Sequence, residues 1–210
     1  MIEKEPQQHW DKVYTETESN KLGWYEVFPL QAAQLLGECN LNKSDAIIVV
    51  GAGLSPFVNF AVEQGYENVI VTDISAVAID KLKGSLGDAK SAKISCIVDD
   101  VTASVELSKL SNISLWYDRA VLHFFVDEQQ RLGYFTLLKK IVKSGRYVII
   151  AVFSLTGAKK CSGLDAMNYD EKILQSYLGD EFDLIKHFDY VDYTPGGDAR
   201  PYIYTLFKRK

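Results

Sequence analysis

Five short runs rich in β-branched residues punctuate the chain: "AIIVV" (46–50), "NVIVTD" (68–73), "KISCIVDD" (93–100), "ISLWYDRAV" (113–121) and "RYVIIAVF" (146–153). Stretches of helical periodicity lie between them. Apolar runs with little polar alternation suit strands buried on both faces, and strict alternation with helices builds a doubly wound parallel sheet covered on both sides. The punctuation agrees. Ser55 caps a helix that begins at Pro56 and stops at Gly65, and Ser75 caps the next, over "AVAIDKLKGSLG", where Val77, Ile79 and Leu82 form an approximate stripe before Gly84 and Gly87. A short polar helix is expected near 103–110, and Asp127 with Gln130 reads as a capping box for a helix reaching about Val142.

After the fifth run the pattern changes. A helix from about Asp170 to Leu178 leads into "FDLIKHFDYVDY", and beyond "TPGGDARP" the chain returns as "YIYTLFKRK". Two extended runs around a Pro/Gly-rich turn predict an antiparallel pair at one edge of the sheet. The aromatic segment Trp10 to Phe28 reads as two short helices with a loop between them. A length of 210 residues suits one domain.

Charge and composition remove several function classes. A net charge of -5 opposes an electrostatic grip on nucleic acid, which needs a basic surface to displace counterions, and the basic "FKRK" end reads as a solvated terminus. The twelve tyrosines lack the basic interleaving of an RNA-stacking surface. "MIEKEPQQHW" has no apolar signal core and no apolar run approaches about 18 residues, so a cytoplasmic protein without a membrane partner is expected. Cys39, Cys96 and Cys161 lie far apart with no CxxC pair, which predicts neither a metal site nor a disulfide framework.

The chemistry centres on "VVGAGLSPF", Val49 to Phe57, between the first strand and its helix. Glycines there let a ligand approach the backbone, and the helix N-terminus offers free N–H groups. Dinucleotide enzymes, phosphate-cradling ATPases and methyltransferases that hold S-adenosylmethionine all use such a loop. A Walker-type site is excluded because no GK[ST] follows. Pro56 occupies the slot where packing around a pyrophosphate calls for glycine, and it lacks an N–H to offer a phosphate. A phosphate-free cofactor loses little by that. Asp73, with Ile74 beside it, ends the second strand twenty residues after Gly53, the spacing of a carboxylate that accepts from ribose hydroxyls. Asp100 ends the third strand, placed to accept from an adenine amino group with the Val101 backbone beside the ring; alternatively, Asp99 and Asp100 only begin a turn.

Glycine loop, Asp73, "DDV", "YDRAV" and closing hairpin together resemble the class I S-adenosylmethionine-dependent methyltransferases over nearly the whole chain. The resemblance implies a Rossmann-like sheet of seven strands, the last inserted antiparallel, and S-adenosyl-L-methionine as cofactor, with Gly51, Ala52 and Gly53 against its methionine and ribose portion. "HWDKVY" is similar to the W-D-x-R-Y motif of small methyltransferases that include the elongation factor 1A lysine methyltransferases, which implies that Trp10 and Tyr14 cover the cofactor. That group's arginine is Val13 here, and its cofactor-contacting lysine after the fourth strand is Arg119, within Asp118, Arg119 and Ala120. Val49 stands where many class I enzymes carry an acid that holds the cofactor's amino group. The implied division is a helical cap over the site (1–45), a cofactor-binding core (46–153) and an acceptor-side loop, helix and hairpin (154–210).

Methyl transfer needs alignment and desolvation more than a catalytic triad, and a base only where the acceptor arrives protonated. His123, just past the fourth strand, is the best base candidate, although between Leu122 and Phe124 it equally suits a packed residue. His9 and His187 have weaker cases. Cys161 reads as an ordinary loop thiol, and its long loop "SLTGAKKCSGLDAMNY" as part of a lid or acceptor pocket. Trp24 and Tyr25 are placed to close over the site, and Phe28 in the core. The expected activity is methyl transfer to a small molecule or a protein side chain. The alternatives are an NAD-dependent oxidoreductase and a non-catalytic cofactor-binding module.

Overall fold

The computed structural model describes residues 4–210. Five strands, β1 (Ile47–Val50), β2 (Val69–Asp73), β3 (Ile94–Val98), β4 (Ile113–Arg119) and β5 (Val142–Phe153), run parallel. Next come a small ribbon, β6 (Lys160–Cys161) with β7 (Leu164–Asp165), and the hairpin β8 (Phe182–Tyr193) with β9 (Ala199–Arg209). Seven strands make one sheet in the order β3-β2-β1-β4-β5-β9-β8, with β9 antiparallel between β5 and β8. This is the seven-stranded α/β arrangement that the resemblance implies.

Helices cover both faces: α1 (Lys4–Glu16), α2 (Leu30–Glu38), α3 (Pro56–Glu63), α4 (Ala76–Leu86), α5 (Asp88–Ser91), α6 (Glu128–Ile141) and α7 (Glu171–Leu178). Every residue of β1 and β2 is buried, because successive side chains point to opposite sides and both sides are covered. Ile47, Val49, Leu115 and Tyr117 join the core under α2 and α3, whereas Ile48, Val50, Trp116 and Val148 join the core under α6 and α7. A third cluster, Tyr14 and Leu22 on Ala78, seats α1 on α4. Val13, where the related group has arginine, packs against it.

The expected caps form. The Ser55 hydroxyl accepts the Phe57 N–H at 3.3 Å with Pro56 in the first turn, Ser75 accepts from Ala78 at 3.1 Å, and Asp127 accepts from Gln129 and Gln130. Elsewhere tertiary contacts prevail over local pattern. The helix expected near 103–110 is a loop with one 3-10 turn, Leu107–Lys109, because the Asp99 carboxylate collects the Ser104 hydroxyl at 2.7 Å and the Glu106 and Leu107 N–H groups at 2.8 and 2.9 Å. The aromatic segment has α1 running from Lys4 to Glu16, a single 3-10 turn at Ser19–Lys21 as its second short helix, and then a loop to Pro29 before α2. Phe28, expected in the core, is half exposed and meets Phe60 edge-on.

Candidate active site

A pocket of about 1150 Å³, counting its open mouth, lies where the carboxyl ends of β1, β2 and β4 meet α1 and the loop after it. Ligand pockets of parallel sheets form at this edge because the loops there diverge. In the glycine loop, Gly51 and Gly53 have φ of +51° and +48°, a left-handed conformation that side chains strain. A Cβ on Gly51 would sit 2.3 Å from Val121 Cγ2, and one on Gly53 2.3 Å from the Tyr14 hydroxyl. Gly53 lies beneath Tyr14 and donates its N–H to Asp73 Oδ2 at 2.9 Å, while Asp73 Oδ1 accepts from the Ser75 N–H at 2.9 Å. Asp73 thus ties the loop to β2. Burial pushes its carboxyl up to about 6 against the pull of these N–H groups.

The structure brings Trp10, Tyr14, Gly51, Ala52, Asp73, Ile74, Asp100, Val101 and Arg119 to the pocket wall, with Gly53 just behind it. Both acids after β3 take part in the turn that follows the strand, and both also reach the pocket wall. Asp99 organises the turn: burial opposes its ionisation, but the N–H groups of Leu107, Val105 and Glu106 and the Ser104 hydroxyl outweigh that and hold its carboxyl low. Asp100 accepts from the Thr102 N–H and hydroxyl at 2.8 and 2.7 Å, both through Oδ1. Trp10 and Trp24 roof the site with ring centroids 5.7 Å apart, and Trp10 meets Phe124 edge-on at 4.9 Å. This roof is anchored to α4, where the Ser75 hydroxyl donates to Asp11 Oδ1 at 2.6 Å and Lys81 reaches the Tyr14 carbonyl.

Arg119 is 6% exposed and largely spent on the protein. Its Nη1 donates to the Trp24 carbonyl at 2.8 Å, Nε donates to the Tyr204 hydroxyl at 3.1 Å and lies 3.5 Å from Glu26 Oε2, and Nη2 pairs with Asp192. One guanidinium therefore fastens the cap loop and the C-terminal hairpin to β4. Asp118 points to the opposite face, where it accepts from Tyr134 at 2.7 Å and from the Val121 and Leu122 N–H groups at 3.0 and 3.1 Å. It holds the turn in which Ala120 takes φ +68°.

His123 is not brought to the pocket. Its imidazole is fully buried, stacked on Phe153 with centroids 4.1 Å apart, and neither nitrogen has a hydrogen-bond partner among the described residues. Burial, with the Arg119 charge adding to it, pushes its pKa down to about 3. A histidine without access to a reacting atom has no proton to move, so the base reading gives way to the packed one. The long loop after β5 also misses the pocket wall. Asn168 ties it back through the Ser154 carbonyl at 2.6 Å, and Met167 donates its N–H to the His123 carbonyl at 2.8 Å, so it covers His123 instead. Cys161 is buried there, and burial raises its thiol pKa.

Glu26 and Tyr117 reach the wall without having been singled out from sequence. Burial pushes the Glu26 carboxyl up to about 7 despite the Arg119 charge beside it. A signal for Glu26 was present, a lone acid inside "GWYEVF", in a chain whose β1 carries Val49.

The chain matches no family model and no curated protein in sequence. Solved structures do match. A SAM-dependent methyltransferase from Anabaena variabilis aligns with TM-score 0.76 and 14% identity over 97% of this chain and 93% of its own. The geranyl diphosphate C-methyltransferase of Streptomyces coelicolor, solved with Mg2+, geranyl diphosphate and S-adenosyl-L-homocysteine, aligns with TM-score 0.70 and 11% identity over 97% and 98%. The 1,6-didemethyltoxoflavin-N1-methyltransferase of Burkholderia thailandensis, with bound 1,6-didemethyltoxoflavin and S-adenosylhomocysteine, gives TM-score 0.64 and 14% identity over 98% and 84%. No helix among the described residues is long and apolar enough to cross a membrane, and no cluster of metal-ligating side chains occurs among them. Topology, strand order and these alignments give this chain the fold of the class I SAM-dependent methyltransferases.

Proposed function

We propose that this chain is an S-adenosylmethionine-dependent methyltransferase acting on a small-molecule acceptor, with a protein side chain as the other acceptor class. The observation that carries the reading is the pocket itself: a glycine cradle that a Cβ would fill, with Asp73 and Asp100 above β2 and β3 and no grip for a pyrophosphate. Pro56 has no N–H to donate, and the Phe57 N–H is taken by Ser55. The residues present therefore fit a nucleoside without phosphates better than NAD. Asp73 and Ile74 serve the ribose, Asp100 and Val101 the adenine, Gly51 to Gly53 the thioether side, and Trp10 and Tyr14 the roof.

When bound, the cofactor supplies an electrophilic methyl group on a sulfonium. The chain's part is to position and to dry the site: Trp10, Trp24 and Phe124 exclude water, and the glycine cradle fixes the ligand against the sheet edge. Residues 1–45 act as cap and 46–153 as cofactor core; 154–210 brace the cap through Asp192 and Tyr204. The three cysteines, all free thiols in the structure, support a cytoplasmic setting. The solved structures that hold a small molecule together with S-adenosylhomocysteine, 1,6-didemethyltoxoflavin in one and geranyl diphosphate in the other, support the first acceptor class. Calorimetric titration with S-adenosylhomocysteine and NADH is the test. Binding of the first alone is expected, followed by labelled-methyl transfer into the small-molecule fraction of a cell extract. Binding of NADH alone would overturn the reading.

A further inference from the structure

We propose that Glu26 is the counter-anion for the ammonium group of the cofactor's amino-acid tail, supplied by the cap loop instead of by β1. The proposal rests on the cofactor reading above. Strand order sets the direction of the ligand: with adenine over the end of β3 and ribose over β2, the tail lies over β1 and β4. The β1 residues on the pocket wall are Val49, in register with Tyr117 of β4, and Val50. None of these is a carboxylate, and the ammonium of a zwitterionic tail taken out of water against this wall needs a counter-charge.

Among the carboxylates on the wall, Asp73 and Asp99 accept N–H groups through both oxygens, and Asp100 stands at the adenine end. Glu26 differs. Its side chain is 10% exposed, Oε2 faces Arg119, and Oε1 is buried with no hydrogen-bond partner among the described residues. The local charge count points the same way, since the Arg119 guanidinium meets two carboxylates, Glu26 and Asp192, and leaves one negative charge uncompensated. A primary ammonium brings both the missing charge and a donor for Oε1.

Burial first, and then the Asp192 charge, push the Glu26 carboxyl up to about 7 against the pull of Arg119, so that it carries a proton part of the time near neutral pH. The charged and titratable groups facing it are Arg119 and Tyr117 on β4, Asp192 on β8 and Tyr204 on β9; both tyrosines are pushed above their ordinary range by burial first. Ammonium binding near neutral pH therefore displaces a proton from Glu26.

The test is calorimetry on the full chain with S-adenosylhomocysteine and with its analogue in which hydrogen replaces the amino group. Wild type is expected to bind the amino ligand at least about ten-fold more tightly. Glu26→Gln is expected to lose about 10- to 100-fold for the amino ligand while binding the des-amino ligand within about three-fold of wild type, which also reports an intact pocket. In buffers of different ionisation enthalpy at pH 7, proton release on binding is expected from wild type and not from Glu26→Gln. Equal affinity of wild type for both ligands, or equal loss of both in Glu26→Gln, would overturn the assignment. Wild type that binds neither ligand refutes the cofactor reading itself.

Discussion

Replacing His123 by phenylalanine separates its packed role from a catalytic one. The imidazole is fully buried among Phe153, Phe124 and Tyr202, with centroids 4.1, 4.5 and 6.4 Å away. At pH 8 two effects oppose each other in His123→Phe. Removing unpartnered buried nitrogens gains about 1–3 kcal/mol, and the larger ring costs about 1–3 kcal/mol in a packed site, so the variant stays close to wild type. Acid separates the two proteins. The folded imidazole is held near pKa 3 against an unfolded value of 6.5, so its contribution is fully present above pH 6.5 and is lost as pH falls toward 3. At pH 5 the unfolded state binds the proton and the folded state does not, which costs wild type about 2 kcal/mol relative to pH 8. The variant escapes that loss. Urea unfolding followed by circular dichroism at the two pH values measures it: the stability difference between variant and wild type is expected to move by about 2 kcal/mol in favour of the variant at pH 5. An unchanged difference would refute the burial argument. Loss of methyl transfer in a variant that still unfolds cooperatively and still binds S-adenosylhomocysteine would return His123 to the catalytic role.

Other perturbations probe the cradle and its supports. Gly53→Ala combines a left-handed φ of +48° with a Cβ 2.3 Å from the Tyr14 hydroxyl, and about 2–3 kcal/mol of stability is expected to be lost. Adding Tyr14→Phe is expected to restore part of it, and strict additivity in denaturant titrations would argue against the clash. Gly133 lies in α6 against the loop that carries Asp100, and a Cβ there would sit 1.9 Å from the Thr102 carbonyl oxygen. Gly133→Ala is expected to displace that loop and weaken S-adenosylhomocysteine binding at least about ten-fold by calorimetry; unaltered affinity would show that the loop does not position the adenine. Asp11→Ala removes the acceptor of the Ser75 hydroxyl, a loss of about 1 kcal/mol. Faster amide exchange confined to α1 is the expected readout, and unchanged exchange would show that the cap is held elsewhere.

Alternating buried runs and capping residues were enough to read β1 to β5, the crossing helices α3, α4 and α6 and the glycine loop, because these signals are local: a strand covered on both faces is apolar throughout, and a helix start needs its cap within a few residues. Asp73 and Asp100 were legible for the same reason, since strand ends in a parallel sheet point to one edge. The 103–110 segment misled because its serine, glutamate and lysine pattern suits a helix, while one carboxylate, Asp99, draws its N–H groups into a loop.

Which residues share the pocket was decided by the tertiary structure. Arg119 and Asp192 are 73 positions apart, Arg119 and Tyr204 85, and only the insertion of β9 beside β5, with β8 outside it, brings them to one cluster with Glu26. His123 sits four residues past a pocket-lining arginine, and the turn held by Asp118 sends it into the core. Sequence by itself determined the five parallel strands, the helices α3, α4 and α6 between them and the carboxylates at the strand ends, all set by periodicity and short-range hydrogen bonding. Only the packed structure decided that Glu26, from the loop after α1, stands on the pocket wall with Val49 and that the best-looking base is buried, because burial and charge pairing depend on neighbours distant in the chain.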